Sequence, residues 1–324
     1  RMVSGFGHMD RETGWSKHMH QNSRTIGILA IALAAVLFGA VGAFAKLLFT
    51  VRVSPLDLTA IRTIIALLVF ALFLMATSRS SLGFRRAHVP ILLASGVTFT
   101  AVNITFYMAI SKISVAAAIT LEYTAPFFVL LISVASGMRR LRAGDLSLVL
   151  IAILGCLLLT GTGGTLFSAS QGVLWGLACG LSFGVFNMIG NACKDRGIGA
   201  TTVTFHSFLV SACIWLPVLP FLSIDTIPIT AETIFFVGFI CVVATIIPYW
   251  LLMYGLRQVD ALPATIIGML DPVAAGVIAW FLVGERLTLG NMAGICIIIT
   301  AVTMASFVES GGKTFAGNST KGRS

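Results

Sequence analysis

Long apolar runs separated by short polar breaks make up most of the chain. A helix needs roughly 20 residues of this kind to cross a bilayer. The runs therefore predict ten membrane-spanning helices, at 26–49, 55–77, 88–110, 114–136, 145–162, 171–193, 201–222, 231–255, 261–283 and 288–308. The breaks between them carry proline, glycine or charge, as in "GMRRLRAGD" at 137–145. We expect an all-α integral membrane protein.

Composition supports this class. Of the 324 residues 57% are hydrophobic and only 10% are charged, whereas a soluble globular chain carries roughly 25% charged residues. The six cysteines fall in or beside the apolar runs without a CxxC pair, so we expect them to pack as small apolar residues rather than to bind metal. No cofactor is expected.

The positive charges lie mainly on one side of the predicted membrane. When the connections are numbered alternately, 16 of the 21 Lys and Arg residues fall on the side of both termini, three fall on the other side and two lie inside spans. The positive-inside rule then predicts cytoplasmic N and C termini in an inner membrane. The net charge of +9 reflects this topology and does not indicate a nucleic-acid partner.

The second half of the chain repeats the first. "YMAISKISVAAAITLEYTAP" at 107–126 aligns without gaps to "MYGLRQVDALPATIIGMLDP" at 253–272, at an offset of 146 that places Pro126 over Pro272. Because each half has an odd number of spans, the second half enters from the opposite side. Such inverted repeats are typical of secondary transporters, whose substrate site lies near the midplane. Three further pairs match at an offset of 145, namely Gly27 over Gly172, Phe38 over Phe183 and Gly39 over Gly184.

These patterns divide the chain into four parts. Residues 1–25 are expected to form a disordered cytoplasmic tail and residues 309–324 a second cytoplasmic tail. Residues 26–162 and 171–308 form the two five-helix repeats, packed around a central cavity.

Glu122, Asp271, Arg62 and Lys46 lie inside the predicted spans, where charge is rare and functional by default. Glu122 is about 12 Å from the external end of the fourth span at 1.5 Å per residue, and Asp271 reaches a similar depth in the ninth. At least one of them is expected to face an aqueous cavity and serve substrate or proton. The alternative is a structural buried carboxylate paired with Arg62 or Lys46. These two basic residues are candidates for gating or coupling, although each is near enough to a span end to reach the interface.

Polar and aromatic residues add candidates for the cavity wall. Phe99, Asn103 and Tyr107 recur every four residues and share one face of the third span. The others are Tyr123 beside Glu122, His206 in the seventh span, and Tyr249 and Trp250 in the eighth. An asparagine at this depth needs a hydrogen-bond partner, whereas an aromatic stripe is also compatible with simple packing. A lone histidine is more often a packing residue.

Glycines and prolines predict where two helices pack closely and where a helix is broken. Glycines recur every four residues at 172, 176, 180 and 184, which predicts a ridge for close helix contact on the sixth span. Pro126 and Pro272 lie inside spans, where transporters use such breaks to free backbone groups into a cavity.

Several stretches resemble the drug/metabolite transporter superfamily, and more narrowly its EamA-type exporters. They are "AAVLFGAVGAFAK" at 34–46, "YTAP" at 123–126 and the "LDP" and "VGERLTLGN" segments between 270 and 291. The resemblance covers roughly residues 25–308. In overall pattern the chain is most similar to the YddG-type amino-acid exporters, which favour aromatic substrates. The resemblance implies ten helices and a substrate cavity to which the third and eighth spans contribute.

The sequence therefore predicts a secondary-active exporter of amino acids or related small metabolites that works by alternating access. A midplane carboxylate suits the substrate ammonium, and Glu122 or Asp271 is a candidate carrier for a coupling proton. No GxxxxGK[ST] phosphate loop is present, so ATP is not expected to drive transport. The first alternative is a multidrug or nucleotide-sugar/phosphate carrier of the same superfamily. A distant alternative is an intramembrane enzyme using Ser207 and His206, but neighbouring helix positions face about 100° apart.

Overall fold

The computed structural model describes residues 9–50, 53–113, 115–160, 170–223, 227, 229–283 and 288–316. Within these ranges the chain forms helices and no β-strand. The helices are α1 (Met9–Thr50), α2 (Pro55–Thr77), α3 (Val89–Lys112), α4 (Val115–Glu122), α5 (Ala125–Ala135), α6 (Ala143–Thr160), α7 (Ser170–Asp195), α8 (Ala200–Trp215), α9 (Ala231–Cys241), α10 (Ile247–Gly255), α11 (Ala261–Gly268), α12 (Leu270–Val283) and α13 (Leu289–Ala316).

The apolar runs coincide with helices long or apolar enough for a membrane. Six segments meet the length and composition of a span: Ser23–Val41, Pro55–Thr77, Arg86–Lys112, Ala117–Ala135, Gln171–Asp195 and Ala231–Gly255. Four apolar helices are shorter: Ala143–Leu159, Ala200–Trp215, Ala261–Ala275 and Leu289–Ala305. The structure is therefore that of a helical integral membrane protein, as predicted.

The helix ends differ from the prediction in three places. α1 begins at Met9, so residues 9–25, predicted to be disordered, continue the first helix. α13 likewise runs to Ala316 into the predicted C-terminal tail. The seventh predicted span ends early, because α8 stops at Trp215 and a short 3₁₀ turn follows at Leu219–Phe221. Residues 1–8 and 317–324 lie outside the described ranges.

Two of the predicted spans are broken at matching points. α4 ends at Glu122 and α5 begins at Ala125, while α11 ends at Gly268 and α12 begins at Leu270. A proline in a helix removes a backbone donor, and its ring clashes with the carbonyl four residues earlier. Pro126 and Pro272 put that clash at residues 122 and 268, where α4 and α11 end. The two breaks are thus related by the repeat offset of 146.

The glycine ridge of α7 packs directly on the first break. A Cβ at Gly180 would lie 2.7 Å from the carbonyl oxygen of Leu121 and 3.1 Å from that of Glu122, so only glycine fits without displacing backbone. At Gly184 a Cβ would lie 3.1 Å from the carbonyl oxygen of Ala125. The predicted close contact of this ridge is confirmed, and its partner is the broken helix.

The same close approach occurs on α1 at the second break. A Cβ at Gly39 would lie 2.8 Å from the carbonyl oxygen of Asp271. Gly39 is the repeat mate of Gly184, and Asp271 is the mate of residue 125. A Cβ at Gly27 would lie 2.5 Å from the Cβ of Gln258, and a Cβ at its mate Gly172 would lie 2.5 Å from the Cγ2 of Ile113. The packing therefore recurs at the offset seen in the sequence.

Candidate functional site

A small cavity lies at the level of the two helix breaks. Its volume is about 40 Å³, room for about three water molecules. Twelve residues line it: Phe38, Val41, Arg62, Val102, Asn103, Phe106, Ile119, Glu122, Tyr123, Phe183, Tyr249 and Asp271. Six of these are sequence-predicted candidates, and three of the six are ionisable residues from different helices. We refer to this space as the central cavity.

Asp271 and Tyr123 connect the two broken helices. The Tyr123 hydroxyl donates a hydrogen bond of 2.9 Å to Oδ2 of Asp271. Asp271 is only 6% exposed, and its other carboxylate oxygen, Oδ1, has no hydrogen-bond partner among the described residues. A buried carboxylate oxygen without a donor costs free energy. Because Asp271 lines the cavity, a donor that enters there would satisfy it.

Glu122 is the last residue of α4 and stands at the other break. Its side chain is half-buried and lines the central cavity with Asp271. The packing of its own carbonyl against Gly180 holds the backbone at this point. The structure thus brings together the two carboxylates that the sequence places at similar depth in the fourth and ninth spans.

Arg62 enters the cavity from α2 and is 2% exposed. One of its Nη atoms donates a hydrogen bond to the hydroxyl of Tyr107, and its Cζ lies 5.4 Å from the centroid of the Tyr107 ring. Its Nε has no hydrogen-bond partner among the described residues. Among the described residues, no carboxylate oxygen of Asp or Glu lies within 4.0 Å of a nitrogen of Arg62, the limit for an ion pair. Arg62 is therefore a buried cation held by a neutral tyrosine.

Asn103 and Tyr249 form a neutral wall. The Tyr249 hydroxyl donates to Oδ1 of Asn103 at 3.4 Å, and Nδ2 of Asn103 donates to the carbonyl of Phe99 at 2.7 Å. The ring of Tyr249 contacts those of Phe38 and Phe99 edge to face, with centroids 4.9 and 4.7 Å apart. Aromatic contacts of this kind hold the tyrosine ring in place.

The remaining sequence candidates whose side chains the structure describes do not line the central cavity. Phe99 is fully buried behind Tyr249, and Trp250 donates to Oγ1 of Thr201 at 3.0 Å. Tyr107 accepts a hydrogen bond from Arg62 and is not part of the cavity lining. The side chain of Lys46 is outside the described part of the structure.

His206 and Ser207, the pair required by the enzyme alternative, are engaged elsewhere. His206 Nδ1 lies 2.8 Å from the carbonyl oxygen of Thr202, and its ring packs on Phe84 with centroids 5.3 Å apart. The Ser207 hydroxyl lies 2.7 Å from that of Ser95. This placement favours a packing role for His206 over a place in the cavity.

Six cavity residues were not singled out from the sequence as site residues: Phe38, Val41, Val102, Phe106, Ile119 and Phe183. A signal existed for two of them, because Phe38 and Phe183 are matched in the repeat. The other four are apolar residues in apolar runs, where only packing distinguishes a cavity wall from a lipid-facing side.

A larger cleft of about 670 Å³ opens at the end of the bundle that carries the arginine-rich loop. We refer to it as the vestibule. Its lining includes Arg139, Arg140, Arg142, Asp145, Asp195 and Asp260. Arg139 and Asp145 form a two-pronged ion pair, with Nε to Oδ2 at 3.0 Å and Nη2 to Oδ1 at 2.8 Å. The vestibule therefore holds six charged side chains in a lining that is otherwise largely apolar.

The vestibule and the central cavity meet the same broken helices at different heights. Val129 of α5 and Ile266 of α11 line the vestibule, whereas Tyr123 and Asp271 line the central cavity. Along the chain, Tyr123 lies in the first break, and Ile266 and Asp271 lie on either side of the second. A Cβ at Gly268 would lie 3.7 Å from Cε1 of Tyr123, so this ring stands against the second break.

The opposite end of the bundle is closed by aromatic packing. The ring of Phe44 lies 5.5 Å from that of Phe236 and 4.7 Å from that of Phe239, while Phe49 lies 6.2 Å from Tyr107, centroid to centroid. Buried Leu48 belongs to the same apolar cluster. The described structure is thus open at the arginine end and closed at the other.

Substituting Tyr123 by phenylalanine is expected to destabilise the protein. The ring stays, but Asp271 loses the donor on Oδ2 and its buried carboxylate keeps no partner among the described residues. We expect a loss of about 1–3 kcal/mol, measured as a lower unfolding temperature in detergent. Thr63→Val, at a buried position outside the cavity, is the control. An unchanged unfolding temperature would show that the Tyr123–Asp271 bond contributes nothing.

Comparison with known proteins gives a consistent result. The model of the EamA-like transporter family matches residues 25–161 and again residues 170–307. An uncharacterized transporter of Archaeoglobus fulgidus is 27% identical over 285 residues, covering 86% of this chain and 96% of that protein. The threonine/homoserine exporter RhtA of Salmonella typhimurium is 27% identical over 276 residues, covering 85% and 88%. RhtA of Escherichia coli K12 is 26% identical over 283 residues, covering 85% and 89%. A crystal structure that is 18% identical superposes with a TM-score of 0.71 over 89% of this chain and 97% of the other, so the fold is shared.

Proposed function

The chain belongs to the EamA-like transporter family, and on that premise we propose that it is a secondary-active exporter of amino acids or related small metabolites that works by alternating access. The protein is a multi-pass inner-membrane protein. The observation that carries the proposal is the pair of broken helices at repeat-related positions, with Glu122 at one break and Asp271 at the other. Transporters build substrate sites from such discontinuous helices near the midplane.

We further propose that the ten helical segments form two five-helix repeats of opposite orientation, over residues 26–162 and 171–308. The recurring glycine contacts support this arrangement. Gly172 packs on Lys112 and Ile113, and its mate Gly27 packs on Gln258 and Val259, which are the mates of those two residues. A contact that recurs at the sequence offset is expected when the two halves share one fold.

The orientation follows from the charge distribution. With the arginine-rich loop in the cytoplasm, as the positive-inside rule requires, both termini are cytoplasmic and the vestibule opens to the cytoplasm. The aromatic packing around Phe44 then closes the external end. On this orientation we propose an inward-facing state in which Tyr123 stands between the cytoplasmic vestibule and the central cavity.

Amino acids are the substrate class to test first. The relatives named RhtA are threonine/homoserine exporters, and the central cavity of about 40 Å³ must widen less for a small amino acid than for an aromatic one. We propose the proton as coupling ion, carried by Glu122 or Asp271. A multidrug or nucleotide-sugar/phosphate carrier is the alternative within the superfamily.

Purified protein in liposomes tests this proposal. We expect vesicles loaded with unlabelled L-threonine to accumulate labelled L-threonine, L-homoserine or L-phenylalanine well above empty-vesicle controls, with the label recovered chemically unchanged. A pH gradient should increase uphill accumulation, and a protonophore should remove that increase. Absence of exchange for every amino acid, together with movement of a cationic dye or a nucleotide sugar, would favour the alternative carriers. Altered product without movement would indicate an enzyme.

A further inference from the structure

The central cavity contains one cation and two carboxylates that do not neutralise one another. Among the residues whose side chains the structure describes, Arg62, Glu122 and Asp271 form no ion pair within 4.0 Å. Removing a charge from water costs several kcal/mol per ion when it is not paired. Tyr107 and Tyr123 supply neutral hydrogen bonds to Arg62 and Asp271, so a ligand of opposite charge that enters the cavity would supply the ion pairs that the described residues lack.

The three groups reach the cavity from different sides. Arg62 belongs to α2, which packs against α3, α8 and α9, whereas Asp271 belongs to α12, which packs against α1, α4, α6 and α13. Glu122 comes from the end of α4. The guanidinium and the two carboxylates therefore come from three different helices that line the same cavity.

Two of the three groups, Asp271 and Arg62, have an unused hydrogen-bonding atom in the described structure. Asp271 Oδ1 is an acceptor without a donor, and Arg62 Nε is a donor without an acceptor. Both side chains are more than nine-tenths buried, at 6% and 2% exposure. An acceptor-only carboxylate suits an ammonium group, and an arginine suits a carboxylate.

We infer that the central cavity recognises its substrate as a zwitterion, with the substrate ammonium bound by Asp271 and Glu122 and the substrate carboxylate bound by Arg62. This inference rests on the proposed function and specifies its substrate class as free α-amino acids. A cation without a carboxylate leaves Arg62 buried and unpaired. A phosphate or other anion without an amine meets two carboxylates of like charge.

Arg62 is thus the specificity-determining residue, and Tyr107 is a positioning residue. Tyr107 holds the guanidinium by its hydroxyl and its ring face, and both are neutral, so the positive charge stays available to a ligand. Lysine at position 62 keeps the charge but loses the planar fork that matches a carboxylate.

The first arm of the test changes the ligand and leaves the protein unaltered. Binding of L-threonine to the full-length protein in nanodiscs is competed with L-threonine methyl ester, which lacks the carboxylate, and with N-acetyl-L-threonine, which lacks the ammonium. We expect each blocked compound to compete at least about 30-fold more weakly than L-threonine, the loss typical of breaking one buried charge pair. L-phenylalanine and its methyl ester repeat the comparison for an aromatic side chain.

The second arm changes the protein. Arg62→Gln is expected to weaken L-threonine binding at least about 30-fold while leaving methyl-ester competition unchanged, so that the preference for the free carboxylate disappears. Arg62→Lys should restore part of that preference. Thr63→Val is the matched control, because Thr63 is the next residue of α2, is fully buried and does not line the cavity.

The outcomes separate this inference from the proposed function. If the parent protein binds and exchanges amino acids but the methyl ester competes as well as L-threonine, zwitterion recognition is wrong and amino-acid transport stands. The same conclusion follows if Arg62→Gln folds and keeps the parent preference. If the parent exchanges no amino acid, the proposed function fails and this inference fails with it. Should Arg62→Gln not fold, the ligand arm on the parent protein still decides.

Discussion

Replacing Asp271 with asparagine is expected to reduce amino-acid uptake into liposomes by at least about 30-fold. The amide has the shape of the carboxylate and can still accept the hydrogen bond from Tyr123. It has no negative charge for a substrate ammonium and no proton to carry. The loss should therefore appear in the initial rate of transport without a matching loss of folded protein.

The control for this experiment is a buried carboxylate outside the cavities. Asp57 is 1% exposed and accepts hydrogen bonds from the backbone of Ser54 and Ser223 at 3.2 Å each, at the start of α2. Asp57→Asn is expected to transport at a rate close to that of the parent. Glu122→Gln is measured in parallel at two pH values. If Glu122→Gln and Asp271→Asn both transport like the parent at both values, neither carboxylate serves substrate or proton.

Replacing Gly180 with alanine is expected to destabilise the protein by on the order of 3 kcal/mol, the upper end of overpacking effects. The added Cβ would contact Oγ1 of Thr124 and lie 2.7 Å from the carbonyl oxygen of Leu121. The second contact is with backbone, at a break fixed by Pro126, so the neighbour does not yield easily. We expect a lower unfolding temperature and reduced transport, since the break carries Glu122.

The matched control is Gly238→Ala, which separates the effect of helix propensity on stability from the effect of a steric clash. Alanine is the better helix former by about 1 kcal/mol, so without a clash the change would stabilise a helix. Gly238 lies in α9, where an added Cβ would meet nothing within 4 Å. Gly238→Ala is therefore expected to leave stability unchanged or raise it. A Gly180→Ala protein as stable as the parent would show that α7 does not pack closely on the broken helix.

Much of the site was accessible from the sequence because its signals are local. A carboxylate in an apolar run is conspicuous whatever surrounds it, which identified Glu122 and Asp271. The repeat showed that the fourth and ninth spans correspond, and Pro126 and Pro272 indicated where those two helices break. Six of the eleven predicted candidates line the central cavity, including both carboxylates and Arg62.

Some candidates that do not line the cavity are neighbours, along a helix, of candidates that do. Tyr249 lines the cavity and its neighbour Trp250 does not, because successive helix residues differ by about 100° in direction. Asn103 lines it, whereas Phe99, one turn away on the same face, is packed behind Tyr249. Hydropathy describes each position along its own helix and contains no information about the helix that packs against it.

The sequence by itself determined the membrane class, the apolar helices, the family and the charged residues placed within the bilayer, since each depends on composition or on spacing along one chain. Only the tertiary structure decided that Asp271 is bound by Tyr123, that Arg62 is held by Tyr107 instead of a carboxylate, and that the vestibule is open while the aromatic end is closed. Those features depend on contacts between residues as far apart as 148 positions. Such contacts exist only once the helices have packed.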